Sequence, residues 1–264
     1  MSPTLVFEIE TIPDIAGMRR VFRLADTLSD DDVLAWYLTT RRQATGSDFA
    51  HHYFQQVVAI AVAFVKDDHL NIWSVGETTD QEGAIIQRFF DGIEKYKPQL
   101  VSWNGGGFDL PVLHYRSMLH GVSAPRYWEL GESDTGYRYN NYIARYHTRH
   151  LDLMDILSMY QARAVASLDA MARLCGFPGK LLMDGGNVRE AMAQNRLNDV
   201  RNYCETDVLN TYLLFLRFQK MRGVLDKEGY DHAIDVTRAF LQKSQADHWQ
   251  AFDREWVQAT PATA

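Results

Sequence analysis

Residues 6–11 of the chain are VFEIET, an apolar run that contains two glutamates two positions apart. Valine, phenylalanine and isoleucine favour a β-strand, and the Pro13–Asp14 pair downstream predicts a turn. Because side chains alternate along a strand, Glu8 and Glu10 are expected to point to the same face. Two carboxylates crowded on one face of a buried strand repel each other unless a positive charge lies between them. The alternative is a solvated edge strand, the usual position for such a pair.

Composition places the chain among globular proteins. Its 264 residues are 46% hydrophobic, which suits one large domain or a domain with an appended helical piece. No apolar run is long enough to span a membrane, and the start MSPTLV lacks the pattern of a signal peptide, so we expect a soluble, cytoplasmic protein. Cys175 and Cys204 are too few for a disulfide framework or a zinc site. The net charge of −7 argues against a protein that coats nucleic acid, but an acidic active site would contribute to the same count.

The order of predicted elements indicates a mixed sheet flanked by helices. A hairpin is followed by helix, strand, helix and a short strand that continues into a helix, and from Ser167 onward the pattern is helical. The fold class is therefore α/β, with a helical C-terminal third. We expect one main domain over residues 1–222 and a helical extension and tail over residues 223–264. The predicted strands of the hairpin are residues 57–65 and 70–76, and the later elements are residues 82–96, 99–105, 109–121, 149–160 and 198–222.

Two further clusters of acidic and polar residues accompany the glutamate pair. Asp109 ends the stretch NGGGFD, between a strand and a helix, where ligand sites of α/β sheets lie. Tyr203 and Asp207 are four positions apart on the long helix and so share a face. Taken singly, Asp109 could be a helix N-cap and the second pair could lie on a helix surface. Taken together, four carboxylates and a tyrosine are what a pair of Mg²⁺ or Mn²⁺ ions requires.

In order and spacing, FEIET, N-x-x-x-F-D and Y-x-x-x-D resemble the three motifs of the DEDDy 3′→5′ exonucleases. The chain is similar in particular to predicted exonucleases related to the proofreading domain of family-B DNA polymerases. The resemblance covers residues 4–220 and includes characteristic blocks at residues 150–160, 167–180 and 203–217. It implies a ribonuclease H-like fold, with a mixed five-stranded sheet and helices on both sides.

The resemblance also implies roles for single residues. Glu8, Glu10, Asp109 and Asp207 would be ligands of two divalent metal ions, Mg²⁺ or Mn²⁺, and Tyr203 would orient the attacking water. The family has aspartate where this chain has Glu8, which keeps the charge and extends the carboxylate by one methylene. Because Mg²⁺ demands near-ideal octahedral geometry, the longer arm predicts a preference for Mn²⁺, and Glu8→Asp is expected to preserve or raise activity with Mg²⁺.

Other residues are candidates for holding the substrate. Phe108 could stack on a terminal base, or it could be plain core. Lys180, in GFPGK, could contact phosphate, although the segment is most simply a turn. Arginines and tyrosines interleaved over residues 126–149 could form a track for a single strand or an irregular lobe that packs on itself. The predicted substrate-binding residues are Thr11, Asn104, Phe108 and Lys180.

These observations lead to one main hypothesis and two alternatives. The main hypothesis is a metal-dependent 3′→5′ exonuclease that acts on single-stranded or unpaired DNA ends by a two-metal mechanism. The alternatives are a catalytically impaired nucleic-acid-binding module of the same fold and a 3′→5′ exoribonuclease. Any polymerase or repair partner is expected to be a separate protein.

Overall fold

A computed structural model describes residues 3–259 except residues 182 and 184. Strands and helices alternate through the first 160 of these residues, and helices follow. Within the described residues the elements are, in chain order, β1 Thr4–Pro13, α1 Ile15–Phe22, α2 Asp30–Thr45, β2 Gln55–Lys66, β3 His69–Ser74, α3 Glu82–Tyr96, β4 Gln99–Ser102, α4 Asp109–His120, β5 His150–Asp152, α5 Leu153–Leu157, α6 Leu168–Leu174, α7 Val188–Ala193, α8 Leu197–Met221, α9 Lys227–Lys243 and α10 Asp247–Ala259.

The strands form one mixed sheet in the order β3-β2-β1-β4-β5. The β2–β3 hairpin pairs antiparallel to β1, whereas β4 and β5 continue the sheet parallel to β1 on its other side. The predicted hairpin and the predicted mixed five-stranded sheet are therefore confirmed. Because β1 occupies the centre, the alternative that Glu8 and Glu10 lie on a solvated edge strand is wrong.

Alternation along β1 divides the core between the two faces of the sheet. Leu5, Phe7 and Ile9 belong to an apolar cluster with α3 and α4 on one face. Val6 belongs to a second cluster on the opposite face, which α6, α7 and α8 cover. Glu8 and Glu10 continue the face of Val6 and so point toward α8. Helices thus cover both faces, as the ribonuclease H-like expectation requires.

The C-terminal helices pack against α8. Tyr230 and Leu241 of α9, with Trp249, Phe252 and Trp256 of α10, belong to the same apolar cluster as the buried face of α8. Beyond residue 259, the predicted tail lies outside the described residues. None of the helices in the described part of the chain combines the length and apolar character that a membrane span requires.

Ser29 and the three aspartates that follow it set the start of helix α2. The Ser29 hydroxyl accepts a hydrogen bond from the backbone N–H of Asp32 at 3.1 Å, and three aspartates in the first turn complement the helix dipole. Gly46 ends the helix with φ of 76°, a left-handed conformation that glycine adopts without a steric penalty. Helices α1 and α2 enclose a small apolar cluster of their own with the segment before β2.

A buried ionic network joins α4 to the start of α3 and to the turn after β1. The Arg116 guanidinium donates to Glu82 at 2.7 Å and to Asp14 at 2.6 Å, and these three residues are all buried. Glu82 also accepts the backbone N–H of Val57 on β2 at 2.7 Å. One arginine therefore joins the start of α3 and the turn after β1 to the helix that begins with Asp109.

Arg116→Ala is expected to lower the free energy of unfolding by about 3–5 kcal/mol, since it leaves two buried carboxylates without their cation. Arg42→Ala is the matched control, because Arg42 pairs with Asp48 at 2.6 Å on the open surface and should leave stability nearly unchanged. Urea unfolding followed by circular dichroism would measure both. Equal losses in the two variants would contradict the structural role of Arg116.

Candidate active site

Most of the predicted site residues line one cavity at the point where β4 ends. The cavity has a volume of about 320 Å³ and lies beyond the carboxyl end of β4, a position typical of ligand sites in α/β folds. Of the predicted site residues, Thr11 alone is not among its lining residues; it lines an adjacent cavity. The site residues in the first cavity are Glu8, Glu10, Asn104, Phe108, Asp109, Lys180, Tyr203 and Asp207.

Asp109 bridges α4 and the central strand. Strand β4 pairs with β1 only as far as Val6, so the edge of β1 beyond that residue has no strand partner on this side. The backbone N–H of Ile9 donates instead to Oδ1 of Asp109 at 3.1 Å. Phe108, not Asp109, is the N-cap of α4, so the N-cap alternative is wrong. The bond sets the second-motif carboxylate beside the first motif.

The two glutamates of β1 are fixed by the sheet and by α8. Glu8 lies opposite Ala61 of β2, and its carboxylate accepts a hydrogen bond from the Thr211 hydroxyl at 2.8 Å. Glu10 lies opposite Ala59 and is buried. The pleat therefore presents both carboxylates toward α8, as the alternation in the sequence predicts.

Helix α8 contributes a buried tyrosine and a buried carboxylate. Tyr203 and Asp207 are both buried, so the alternative that they form a helix-surface pair is wrong. The Lys180 ammonium donates a hydrogen bond to the Tyr203 hydroxyl and lies 3.2 Å from Oδ2 of Asp207. Within the described residues, Oδ1 of Asp207 is buried without a hydrogen-bond partner. This oxygen is free to accept a cation or a proton donor.

Three residues that the sequence analysis missed hold Lys180 in place. Asn210, fully buried one turn after Asp207, accepts the N–H of Gly179 at 3.1 Å and donates to its carbonyl at 2.9 Å. Asp169 accepts the backbone N–H of Lys180 at 2.7 Å. Gly179 has φ of 72°, and a side chain there would collide with Asp169, so glycine is required. The sequence feature that could have indicated this contact is an asparagine on an otherwise apolar helix face.

The predicted substrate residues lie around the mouth of the site. Phe108 contacts the rings of Phe49 and His52, at centroid distances of 5.7 Å in both cases. Phe49 is 54% exposed, so this aromatic group reaches the surface. Thr11 donates to Gln55 at 3.0 Å in the neighbouring cavity, which Phe108 also lines. The backbone N–H of Asn104 donates to Asp152, which fixes the loop between β4 and α4.

The segment of arginines and tyrosines at residues 126–149 packs largely on itself. Tyr127, Tyr137 and Tyr142 are buried, and the Arg149 guanidinium lies 3.8 Å from the centre of the Tyr137 ring. Tyr139 and Tyr146 are exposed. Only part of this segment is therefore accessible to a nucleic-acid strand.

Burial raises the pKa of all four carboxyl groups that line the cavity. Burial is the largest cause for each, and the pKa of Asp109 rises to about 7. The pKa values of Glu8 and Glu10 rise well above the ordinary range because neighbouring carboxylates add to the effect of burial. Burial also raises the pKa of Asp207, but the nearby Lys180 ammonium lowers it and so offsets part of the rise. The cavity therefore favours protons or cations among its carboxylates.

The donor set matches the chemistry of hard divalent cations. Carboxylate oxygens are the ligands that Mg²⁺ and Mn²⁺ prefer, and Asp207, which lines the cavity, supplies one in its unpartnered Oδ1. No group of three or more His, Cys, Asp or Glu side chains among the described residues is close enough to hold an ion as it stands. The carboxylates line the cavity from β1, α4 and α8 and are not a closed coordination shell, while Lys180 neutralises part of their charge.

Asp109→Asn is expected to become more stable than the wild type as pH rises from about 5 to about 8 in EDTA. In the folded protein the Asp109 carboxyl keeps its proton up to about pH 7. In the unfolded chain the same carboxyl loses its proton near pH 4. The folded state binds more protons across this window, so this contribution to stability is present at low pH and is lost as pH rises through about 7. Urea unfolding at several pH values would measure it. A stability difference that does not change with pH would contradict it.

The chain matches the sequence model of a family described as predicted 3′-5′ exonucleases related to the exonuclease domain of PolB. The match covers residues 47–256, more than half of the chain, and includes Asp109, Tyr203 and Asp207, whereas β1 precedes it. It confirms the resemblance that the motifs indicate and supports a hydrolytic nuclease activity. The chain therefore belongs to the family of predicted 3′-5′ exonucleases related to the exonuclease domain of PolB.

Proposed function

We propose that the protein is a metal-dependent exonuclease that removes nucleotides from the 3′ end of single-stranded or unpaired DNA. The observation that carries this proposal is the convergence of carboxylates from β1, α4 and α8 on one cavity, beside a tyrosine hydroxyl and a lysine ammonium. A hydroxyl beside such carboxylates can position an attacking water, which a hydrolase requires. We expect the protein to act in the cytoplasm, where free 3′ ends are its substrates.

Glu8, Glu10, Asp109 and Asp207 would hold two divalent cations, Mg²⁺ or Mn²⁺. When bound, such cations polarise the scissile phosphate and lower the pKa of the attacking water. The rigidity of the carboxylates supports this role. Glu8 and Glu10 belong to the central strand, and the backbone of Ile9 fixes Asp109. A ligand set carried on paired strands and helices keeps its geometry better than one carried on loops.

Tyr203 is suited to orient the attacking water and not to deprotonate it. Burial, and then the nearby Asp207 and Glu10 carboxylates, raises the pKa of the phenol above its usual value of about 10. The hydroxyl therefore stays protonated at neutral pH and can donate one hydrogen bond and accept another. The hydroxyl accepts from the Lys180 ammonium, so its own proton can be donated to the Asp207 carboxylate or to a bound water.

Lys180 is suited to receive the negative charge of the substrate. Burial alone would lower its pKa, but the Asp207, Glu10 and Glu8 carboxylates together outweigh burial, so the pKa of the ammonium is raised and the charge persists. A phosphate that enters the cavity would meet this ammonium beside Tyr203. The Phe49, His52 and Phe108 rings at the mouth would contact the terminal base, since stacking tolerates any base.

A 5′-labelled single-stranded DNA oligonucleotide is expected to give a ladder of products shortened from the 3′ end. The reaction should need Mg²⁺ or Mn²⁺ and stop in EDTA, because the carboxylates alone repel phosphate. Denaturing gels with DNA and RNA substrates labelled at either end would measure it. Shortening of RNA alone would support an exoribonuclease, and binding without shortening would support an impaired binding module.

Asp207→Asn and Asp109→Asn are expected to lower the rate by several orders of magnitude, while circular dichroism shows an unchanged fold. Each substitution removes a charged cation ligand but keeps the shape of the side chain. The control is Asp253→Asn, which removes a carboxylate of α10 that pairs with Arg238 at 2.9 Å, away from the cavity. Near wild-type rates in either site variant would exclude the proposed site.

Tyr203→Phe is expected to lower turnover by about 10²–10⁴-fold, the usual contribution of a group that positions or transfers a proton. Metal binding should survive, because the phenol is not proposed as a ligand. The rise in melting temperature on addition of Mn²⁺ would report metal binding separately from turnover. If the variant keeps its rate but loses this rise, Tyr203 is a ligand and the proposed role is wrong.

A further inference from the structure

The Glu8 side chain has a hydrogen-bond partner on helix α8. The Thr211 hydroxyl of α8 donates to Oε1 of Glu8 at 2.8 Å. Thr211 is fully buried, one turn after Asp207 on the face that carries Tyr203. The hydrogen bond joins residues 203 positions apart and sets the end of the Glu8 side chain against the same helix as Asp207.

A buried threonine on a helix can satisfy its hydroxyl by donating to a backbone carbonyl of the preceding turn of the same helix. Thr206 of α8 donates to the carbonyl of Tyr203, and Thr237 of α9 donates to the carbonyl of Ala233, both within their own helices. Thr211 instead donates to the strand. The hydroxyl is therefore directed at the Glu8 carboxylate and does more than satisfy its own hydrogen-bonding capacity.

The backbone of Glu8 cannot move to compensate for a shorter side chain. Glu8 is paired with Ala61 of β2, its carbonyl accepts from the Cys204 thiol at 3.4 Å, and the next residue, Ile9, donates to Asp109. An aspartate at this position would withdraw the carboxylate by about one C–C bond, roughly 1.5 Å. At that distance the carboxylate no longer reaches the Thr211 hydroxyl.

We propose that Thr211 is a positioning residue that fixes one oxygen of the Glu8 carboxylate and turns the other toward the divalent-cation site. Glutamate is then the fitted residue in this chain, because only its longer arm reaches both the threonine and the cavity. The inference rests on the proposed function for the identity of the site. It leads to an expectation opposite to the one drawn from the sequence, namely that Glu8→Asp impairs the site with Mg²⁺.

The test compares Thr211→Val, Thr211→Ser, Glu8→Asp and the double variant Glu8→Asp/Thr211→Val with the wild type. Valine keeps the shape of threonine without the hydroxyl, and serine keeps the hydroxyl. Thr237→Val is the matched control, since it removes an equally buried hydroxyl outside the cavity. Apparent affinities for Mg²⁺ and Mn²⁺ come from the rise in melting temperature without nucleic acid. Turnover and KM on a labelled DNA strand are measured separately.

Thr211→Val and Glu8→Asp are each expected to weaken Mg²⁺ binding by about 10- to 100-fold, the usual effect of losing a group that orients a metal ligand. Thr211→Ser and Thr237→Val should stay close to the wild type. The double variant should be no weaker than Glu8→Asp, because the two residues act through one hydrogen bond. Turnover with Mg²⁺ should fall in the same order as the affinities.

Wild-type Mg²⁺ affinity in Thr211→Val or in Glu8→Asp would overturn the inference, and so would effects that multiply in the double variant. If Thr211→Val does not fold, Glu8→Asp decides alone through its Mg²⁺ affinity. The failure of the proposed function has a different signature. In that case the wild type binds the cation with the predicted coupling but hydrolyses neither DNA nor RNA.

Discussion

The central strand extends beyond the end of its parallel neighbour, and the rest of the site depends on this difference in length. Strand β4 stops at Ser102 while β1 continues to Pro13, so the free edge of β1 must satisfy its backbone groups in another way. A carboxylate takes the place of the missing strand, since Asp109 accepts the N–H of Ile9. The same hydrogen bond that completes the edge of the sheet therefore brings the Asp109 carboxylate close to those of Glu8 and Glu10. A longer β4 would pair with this edge and exclude Asp109 from it.

Holding these carboxylates close together has an electrostatic cost. Carboxyls with raised pKa values are groups that the fold stabilises poorly in their charged form. Part of the repulsion is offset by Lys180, whose backbone N–H is held by Asp169 and whose neighbour Gly179 is held by Asn210. In the Arg116 network, by contrast, the buried charges balance each other. The four carboxylates of the cavity are buried with incomplete compensation, which is typical of functional sites.

The sequence predicts the strands and helices well, and it predicts which faces its acidic residues share. Alternation in residues 6–11 and the four-residue spacing of Tyr203 and Asp207 are local periodicities, so they survive in the folded chain. The sequence does not predict which distant groups meet each other. Nothing near Glu8 in the sequence indicates Thr211, and GFPGK gives no sign that Asn210 would hold its glycine. The sequence also does not predict the role of Asp109. An aspartate at the start of a helix can cap that helix or accept a hydrogen bond from a distant strand, and both roles place it at the same position in the sequence.

Four polar side chains of the site depend on one uninterrupted helix. Tyr203, Asp207, Asn210 and Thr211 follow one another within nine positions of α8, and each meets a different part of the molecule. Each added or deleted residue rotates the remainder of a helix by about 100°, so a change of length within this segment would misdirect every side chain after it. Substitutions on α8 can be judged one at a time, but insertions and deletions cannot. The spacing between residues 203 and 211 should therefore be invariant in any redesign, even where neighbouring residues are freely exchanged.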